Sequence, residues 1–432
     1  MKIAVIGAAG LRFPLLASGF ARSHLPIEVV RCFDSDQEKL QYTVAIASAL
    51  APNLRFEAHG DPAVCVEDAD FIFTSIRVGG MAGRARDEQI CFEHGVLGQE
   101  TIGPVGFAMA LRSIAPMLEY AELIARYAPK AWVINFTNPV SIITQALFSS
   151  RHQRMVGICD SPTELFCDVA NALELVPREC RFDYIGLNHL GFLQELYFNG
   201  EPQLQRLWEN KGAAAKVYRH ALFESDELEA LAMLPSEYLY FYFHAEKALK
   251  NIAASGSSRG QMLHEQNEAF WASITSKPND MLAIYESYLN KRDSSYMQIE
   301  SDGQSTKPKG KDYGLTGYDK IALKVVEGIY FNSKEVLPLN VLNHGNIPDL
   351  LDDDVIEVPC LLSNHGPLPL HAGPLPEACK GLVMQVKHYE RLTTQAALEQ
   401  SESKAVEALA HNPLIKDRAQ AKTLCDALGP FW

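Results

Sequence analysis

The sequence predicts an α/β protein in which a doubly wound parallel sheet packs on a second, mixed α+β domain, and three patterns carry that prediction. A short apolar run at 2–6 ends in a glycine turn, Gly7-Ala8-Ala9-Gly10. Later apolar runs are continuous rather than alternating, as in parallel strands that are covered on both faces. Stretches with apolar residues at helical spacing separate these runs, which indicates repeated strand–helix units.

The elements of the first domain follow in order. A helix follows the glycine turn, and the run 28–33 predicts a second strand that ends at Asp34. Further buried strands are predicted at 71–76, 132–136 and 155–158. Apolar residues recur at helical spacing over 107–127, which predicts a helix there. We therefore expect residues 1–160 to form a Rossmann-like, dinucleotide-binding domain.

Residues 161–432 have a mixed pattern, which predicts an α+β domain for substrate, metal and oligomerisation. Its predicted strands are 181–185, 192–198 and 355–362, and its predicted helical stretches are 213–250, 258–290, 316–328 and 378–410. The segment 300–317 is rich in glycine, serine and lysine and predicts a loop or lid.

The composition bounds the function. The chain has 432 residues, 47% of them hydrophobic and 21% charged, as in ordinary globular proteins. Its formal net charge of -14 disfavours binding to nucleic acid or anionic membranes. The nine scattered cysteines indicate reduced thiols, and we see neither a signal peptide nor an apolar run of ~20 residues. We expect a cytoplasmic protein.

The glycine turn is the first candidate site. Gly7 and Gly10, followed by an acid at the end of the second strand, match a dinucleotide-binding βαβ unit. Backbone amides and a helix N-terminus would hold a pyrophosphate, and Asp34 would favour the free ribose hydroxyl of NAD. The alternative is a turn that needs glycines only for its tight geometry.

Two further loops follow predicted strands. Arg77-Val78-Gly79-Gly80, with Arg84 close behind, either binds a phosphate or carboxylate or forms a solvated glycine-rich loop. Asn138 lies where doubly wound folds bind ligands, but Asn-Pro also opens turns.

Three later segments carry chemistry. Cys159 and His189 offer a thiolate and an imidazole, both good ligands for a divalent metal, although buried cysteines and packed histidines are common. Asp160 is either a general acid or a helix N-cap. Tyr238 lies in an aromatic stretch, normally core, and Arg259 would ordinarily be a surface residue.

Taken together, six segments give the chain a specific resemblance. They are RVGG (77–80) with Arg84, GQETIG (98–103), INFTNP (134–139), GICDSP (157–162), GLNHLGF (186–192) and SEYLYFYF (236–243). In this order they resemble the family 4 glycoside hydrolases, the NAD- and metal-dependent glycosidases. The resemblance runs over nearly the whole chain.

The resemblance implies a role for each matching residue. Cys159 and His189 match ligands of a divalent metal, usually manganese, and Tyr238 matches the base that removes the proton at C2 of the sugar. Asp160 matches a general acid and Glu100 an acid that raises the basicity of the tyrosine. The matches to substrate-binding positions are Arg84, Asn138 and Arg259.

The family mechanism implies that NAD takes a hydride from C3, which makes the C2 proton acidic. Proton removal and elimination then release the glycosidic oxygen, water adds back and the hydride returns.

We expect the substrate to be a 6-phospho-β-glucoside, with a 6-phospho-α-glucoside, a galactoside or a uronide as alternatives. Relatives often have Arg-Gly-Gly where this chain has 291–296. Most relatives that cleave phosphorylated β-glucosides have Asn after the cysteine, whereas Asp160 is as in many 6-phospho-α-glucosidases, and Ser161 fits neither pattern. Lys307, Lys309 and Lys311 either contact the phosphate or form a solvated loop. The resemblance also implies a homodimer or homotetramer.

Two other functions remain open at this point. The first is an NAD-dependent 2-hydroxy-acid dehydrogenase of the lactate/malate type, whose fold is similar but in which Cys159, His189 and Tyr238 have no role. The second is a sugar- or nucleotide-sensing protein without turnover.

Overall fold

The computed structural model describes residues 1–210, 213–297, 299–301 and 317–432. The predicted loop at 300–317, with Lys307, Lys309 and Lys311, lies almost entirely outside the described residues. The strands are β1 Lys2–Ile6, β2 Val29–Phe33, β3 Phe56–His59, β4 Phe71–Thr74, β5 Trp132–Asn135, β6 Met155–Gly157, β7 Cys180–Leu187, β8 Leu190–Phe198, β9 Glu201–Pro202, β10 Leu234–Pro235, β11 Val336–Leu342, β12 Val355–Ser363 and β13 Gly366–Pro369.

Helices connect and cover these strands. They are α1 Phe13–Arg22, α2 Gln37–Leu50, α3 Pro62–Val66, α4 Gly80–Glu93, α5 Gly103–Tyr127, α6 Val140–Leu147, α7 Ser161–Ala172, α8 Gln205–Glu209, α9 Ser225–Leu231, α10 Tyr240–Phe243, α11 Ala245–Ser255, α12 Arg259–Ser276, α13 Met281–Ser294, α14 Tyr318–Phe331, α15 Glu377–Glu399, α16 Glu402–Ala410 and α17 Arg418–Leu428. Among the described residues, no helix is both long and apolar enough to cross a membrane.

The main sheet confirms the predicted doubly wound architecture. Its strand order is β13-β12-β11-β6-β5-β4-β1-β2-β3, and β1 to β6 pair in parallel. The order reverses at β1, so the carboxyl ends of β1 and β4 border a crevice where such folds bind ligands.

The sheet continues beyond the predicted boundary at residue 160. Strand β11 joins β6 in antiparallel fashion at Asn340 and Gly157, and β12 and β13 follow. A second sheet, β10-β8-β7 with β9 paired to β8, carries the hairpin that ends in the loop with His189. The two sheets share one apolar core.

The long helix predicted over 213–250 is wrong. The chain there forms short helices and the strand β10, which pairs with β8 through Leu234 and Pro235. Proline lacks an amide hydrogen and breaks helices, and the apolar residues of this stretch pack around the second sheet instead. The stretch 258–290 likewise divides into α12 and α13 at the turn Pro278–Asp280.

Helices α12 and α13 return to the first domain. A separate apolar cluster joins them to the glycine turn and to α2; its buried members are Leu11, Ile46, Phe270, Ile274, Tyr285 and Tyr288. Two members of this cluster, Leu11 and Tyr288, also line the cavity at the carboxyl ends of the strands.

Candidate active site

One cavity of about 1240 Å³ lies at the carboxyl ends of the parallel strands. It is lined by the residues that were assigned a cofactor, metal, catalytic or substrate-binding role: Gly7, Gly10, Asp34, Arg84, Glu100, Asn138, Cys159, Asp160, His189, Tyr238 and Arg259. The residues come from both predicted domains, so the site forms where the two halves of the chain meet.

The glycine turn forms one end of the cavity. Gly7 has φ +92°, and a Cβ there would lie 2.2 Å from the carbonyl oxygen of Ser75, so only glycine fits. The Asp34 carboxylate accepts hydrogen bonds from the amides of Ala9 and Asp36, each at 3.0 Å. Burial raises the pKa of Asp34. The acid braces a turn of bare backbone that faces the cavity, which fits a dinucleotide.

Cys159 follows β6, and His189 occupies the turn between β7 and β8 with φ +60°. The Cys159 Sγ and His189 Nε2 atoms are 3.5 Å apart. His189 Nδ1 lies 2.6 Å from the hydroxyl of Thr101, which itself donates to Gln99 Oε1 at 3.0 Å. Thr101 must therefore accept from Nδ1–H, which leaves the Nε2 lone pair directed at the sulfur.

This donor pair fits a divalent transition metal. Burial lowers the pKa of His189 to about 3, so the imidazole is neutral and can ligate. Burial raises the pKa of the Cys159 thiol, and a bound metal would remove that proton. The described residues contain no group of three or more His, Cys, Asp or Glu side chains that could hold a metal. A metal held by two protein ligands would leave its other coordination positions to substrate or water.

Tyr238 packs directly on the imidazole of this pair. The two rings are stacked with centroids 3.6 Å apart and planes 8° apart. The Tyr238 hydroxyl lies 3.2 Å from the hydroxyl of Tyr296. Burial, followed by the charge of Glu237, raises the pKa of Tyr238.

Sequence reasoning missed Glu237 and Tyr296. Glu237 Oε2 accepts a hydrogen bond from Ser161 at 2.9 Å, and its Oε1 lies 3.3 Å from the Tyr296 hydroxyl. Burial raises the pKa of Glu237 to about 7. A glutamate inside the aromatic stretch 236–243 was the available signal, because a buried carboxyl among aromatic rings needs polar partners.

Arg84 is buried and already paired. Its Nε donates to Glu88 Oε1 and its Nη1 to Glu100 Oε2, both at 2.6 Å. Arg77 is the second partner of Glu100. Burial alone would raise the pKa of Glu100, but Arg77 and Arg84 outweigh it and hold the pKa well below its usual range. Glu100 is thus an anion fixed between two guanidiniums.

Arg259 opens α12 beside Tyr296. Its Nη1 donates to the Ser295 carbonyl at 2.5 Å, and its guanidinium lies 5.3 Å from the Tyr296 ring centroid. The next amide, of Gly260, donates to Glu88 Oε2 at 2.6 Å. Glu88 therefore ties the start of α12 to Arg84.

Asp160 and Asn138 both line the cavity, Asp160 at the start of a helix and Asn138 in the turn after β5. Asp160 occupies the N-cap position of α7, but its side chain makes no capping hydrogen bond, so it faces the cavity without that structural role. Asn138 precedes Pro139 at the cavity wall. The neighbouring Asn135 is structural, since its amide group bonds Thr74 and Thr144.

Family models match both halves of the chain. The model described as family 4 glycosyl hydrolase matches residues 2–175, and that of the family 4 glycosyl hydrolase C-terminal domain matches residues 184–415. A probable 6-phospho-β-glucosidase of Bacillus subtilis (strain 168) is 30% identical, over 99% of this chain and 95% of its own.

Solved structures agree with these matches. A 6-phospho-α-glucosidase from gut microorganisms, in complex with NAD and glucose-6-phosphate, has a TM-score of 0.82 at 26% identity, covering 99% of this chain and 96% of its own. The Thermotoga maritima 6-phospho-β-glucosidase, with manganese, NAD+ and glucose-6-phosphate, has a TM-score of 0.82 at 25% identity, with coverage of 99% and 97%.

A malate dehydrogenase from Plasmodium falciparum, at 14% identity, a TM-score of 0.55 and coverage of 92% and 99%, shares the fold alone. The predicted likeness to the lactate and malate dehydrogenase fold is confirmed. Both family models and the length of the curated match show that this chain belongs to the family 4 glycosyl hydrolases.

Proposed function

We propose that this enzyme hydrolyses 6-phospho-β-glucosides with NAD and a divalent metal, manganese in the first instance. The observation that carries the proposal is the stack of the Tyr238 ring on the His189 imidazole, whose Nε2 atom lies 3.5 Å from the Cys159 sulfur. All three side chains line the cavity that begins at the glycine turn. A base, a metal-ligand pair and a dinucleotide turn serve together in the oxidation–elimination chemistry of this family.

The donor groups support both cofactors. Gly7, Gly10 and Asp34 would hold the dinucleotide, and the relatives with solved structures bind NAD, one of them with manganese. Cys159 and the Nε2 atom of His189 would hold the metal. When bound, the nicotinamide accepts a hydride from C3 and the metal polarises the sugar oxygens, which makes the C2 proton acidic.

Tyr238 acts as the base at C2 in this proposal. Its hydroxyl faces the Tyr296 hydroxyl at 3.2 Å, a contact that helps to hold a phenolate. The fixed negative charge of Glu100 contributes to raising the pKa of Tyr238, which supports the implied role of Glu100 in the basicity of the tyrosine. Asp160, with no capping bond, is available to protonate the departing glycosidic oxygen.

Arg84, Asn138 and Arg259 bind the sugar in this proposal. The ion pairs of Arg84 and the backbone contact of Arg259 hold both guanidiniums in fixed positions along the cavity wall. Binding groups that are fixed before substrate arrives lose little conformational freedom on binding.

The preference for the β anomer rests on overall likeness, since the 30% identical relative is a probable 6-phospho-β-glucosidase. A 6-phospho-α-glucosidase is the second candidate. Asp160 after Cys159 is the pattern that the resemblance gives for many 6-phospho-α-glucosidases, and a solved 6-phospho-α-glucosidase has a similar fold at a TM-score of 0.82. A homodimer or homotetramer and a cytoplasmic location remain predictions.

The test compares four chromogenic substrates. The purified protein, with NAD, manganese and a reductant, is incubated with p-nitrophenyl 6-phospho-β-glucoside, its α anomer and both unphosphorylated sugars. We expect release from the phosphorylated β-glucoside without net absorbance change at 340 nm. Release of p-nitrophenol from the phosphorylated α-glucoside alone would overturn the proposed preference for the β anomer. Formation of NADH in proportion to turnover would indicate a dehydrogenase.

A further inference from the structure

A hydrogen-bonded chain of two hydroxyls and one carboxyl begins at Tyr238. The Tyr238 hydroxyl lies 3.2 Å from the Tyr296 hydroxyl, which in turn lies 3.3 Å from Glu237 Oε1. All three side chains are half-buried in the cavity wall. Each of these oxygens can both release and accept a proton, so the chain connects Tyr238 to a carboxyl that it does not touch in this contact.

The donor rules allow two arrangements of this chain. A hydroxyl has one hydrogen to donate, so Tyr296 cannot donate to Glu237 and to Tyr238 at the same time. When the carboxyl of Glu237 is ionised, Tyr296 donates to it and accepts from Tyr238. When the carboxyl is protonated, it donates to Tyr296, and Tyr296 donates to Tyr238. The chain can therefore pass a proton in either direction while the side chains stay in place.

Local structure fixes both ends of the chain. The second oxygen of Glu237, Oε2, accepts a hydrogen bond from the Ser161 hydroxyl at 2.9 Å, which leaves Oε1 for Tyr296. Glu237 and Tyr238 share one short helical turn directly after β10, so the backbone holds them together. Tyr296 is held separately, since its carbonyl oxygen lies 3.0 Å from His220 Nε2.

Glu237 suits the role of proton acceptor. A hydroxyl that takes up a proton must release its own, so a tyrosine base needs a partner that can receive one. Burial, with the charge of Asp160, raises the pKa of Glu237 to about 7, which makes it a stronger base than an ordinary carboxylate. Glu100 is poorly suited, because two arginines outweigh its burial and hold its pKa well below its usual range.

We propose that Tyr296 and Glu237 relay the proton that Tyr238 takes from C2 of the sugar. This inference rests on the proposed function and adds to it the group that finally receives the proton. As the C2–H bond breaks, its electron pair stays on the sugar and the proton goes to the Tyr238 oxygen. The hydroxyl proton of Tyr238 passes to the Tyr296 oxygen, and that of Tyr296 passes to Glu237 Oε1. The reverse transfers return a proton to C2 when water adds.

The test compares Glu237→Gln and Tyr296→Phe with wild type, all loaded with NAD and manganese. Glutamine can keep both hydrogen bonds of Glu237, with its carbonyl accepting from Ser161 and its amide donating to Tyr296, but it cannot take up the proton. Release of p-nitrophenol is measured from the p-nitrophenyl 6-phosphoglucoside anomer that wild type cleaves, with hydrogen or deuterium at C2. The matched controls are Glu201→Gln, at an exposed strand residue, and Tyr330→Phe, at a side chain that is 47% exposed.

We expect kcat to fall by at least about tenfold in both relay variants, as for the partial loss of acid–base catalysis, while KM stays within about twofold. The deuterium isotope effect at C2 should be at least as large as in wild type, because proton removal becomes the slow step. A smaller fall of kcat in Glu237→Gln would overturn the proposal. Loss of the isotope effect would also overturn it, because a different step would then be slowed. If wild type cleaves neither anomer, the proposed function fails instead, which separates the two failures.

Discussion

The imidazole of His189 lies flat against the phenol ring of Tyr238, with ring centroids 3.6 Å apart. One face of the proposed metal ligand is thereby covered by the proposed base. We expect a change at either ring to disturb the other, so that metal affinity and proton transfer are coupled through packing. A Tyr238→Phe variant keeps the stack and removes only the hydroxyl, which makes it the sharper probe of the base.

Tyr238→Phe should lower kcat by about 10²–10⁴-fold, since that is the usual contribution of general base catalysis. Manganese and NAD binding should stay near wild type because the ring stack is retained. In D₂O the wild type should place deuterium at C2 of the product. A product that keeps its original C2 hydrogen would exclude elimination.

Cys159→Ser should abolish turnover and lower manganese affinity by more than about 100-fold. Removing a hydrogen-bond partner of a metal ligand usually costs about 10–100-fold in metal affinity, and removing the ligand itself should cost more. Manganese binding by calorimetry is the measurement. Cys167→Ser is the control, since Cys167 lines the same cavity. Equal metal affinity in the two variants would place the metal elsewhere.

Thr101→Val should lower manganese affinity by about 10–100-fold, the usual effect of removing a partner of a ligating histidine. The hydroxyl oxygen of Thr101 lies 2.6 Å from Nδ1 of His189 and accepts its hydrogen bond, which keeps the ring proton on Nδ1. Valine has no oxygen to accept this hydrogen bond. Thr101→Ser should restore most of the affinity. If valine bound metal as well as serine does, the hydrogen bond would have no role in ligation.

Asp34→Ala should weaken NAD binding by about tenfold or more, since the variant loses hydrogen bonds to a charged group. The side chain braces the amides of Ala9 and Asp36 and also lines the cavity. Fluorescence titration with NAD gives the affinity. Asp61→Ala, which removes a cap from α3, is the control for general destabilisation. Unaltered NAD binding would remove Asp34 from the cofactor site.

Glu357→Gln should flatten the pH dependence of stability. Burial raises the pKa of Glu357 to about 7, above its value of 4.5 in the unfolded chain. The protonated carboxyl is therefore favoured in the fold, and stability is lost as pH rises from about 4.5 through about 7. The loss is at most about 3 kcal/mol.

Glutamine can replace the acid without new space. Its carbonyl would accept from Asn188 and Asn340, and its amide would donate to Tyr184. Urea unfolding at pH 5 and pH 8 should show a smaller difference in the variant than in wild type. An equal difference in both proteins would show that Glu357 does not titrate in this range.

The first half of the fold could be predicted because its signals are local. Gly7 needs a positive φ, and Asp34 directly follows a short strand that is apolar except for Arg31. The antiparallel strands β11, β12 and β13 of the main sheet could not be placed in this way. Asn340 pairs with Gly157, which lies far back in the sequence beyond the second sheet, and no local pattern encodes such a register.

The same distinction applies to the site. Cys159, His189 and Tyr238 stand out by residue type and by resemblance, and they do line one cavity. The hydroxyl of Thr101 and the carboxyl of Glu237 gain their partners only through tertiary contacts, at 2.6 Å and 2.9 Å. The ion pair between Arg84 and Glu100 likewise depends on where α4 lies in the fold.

Strand β11 begins at Val336 and covers the edge of β6, two residues before Cys159. Glu357, on β12, accepts a hydrogen bond from Asn188, the neighbour of His189. The support of the proposed metal pair thus comes from a contact between residues 169 positions apart in the chain. We therefore expect this pair to take its final geometry only after these distant segments have come together, because contacts of high sequence separation form late in folding.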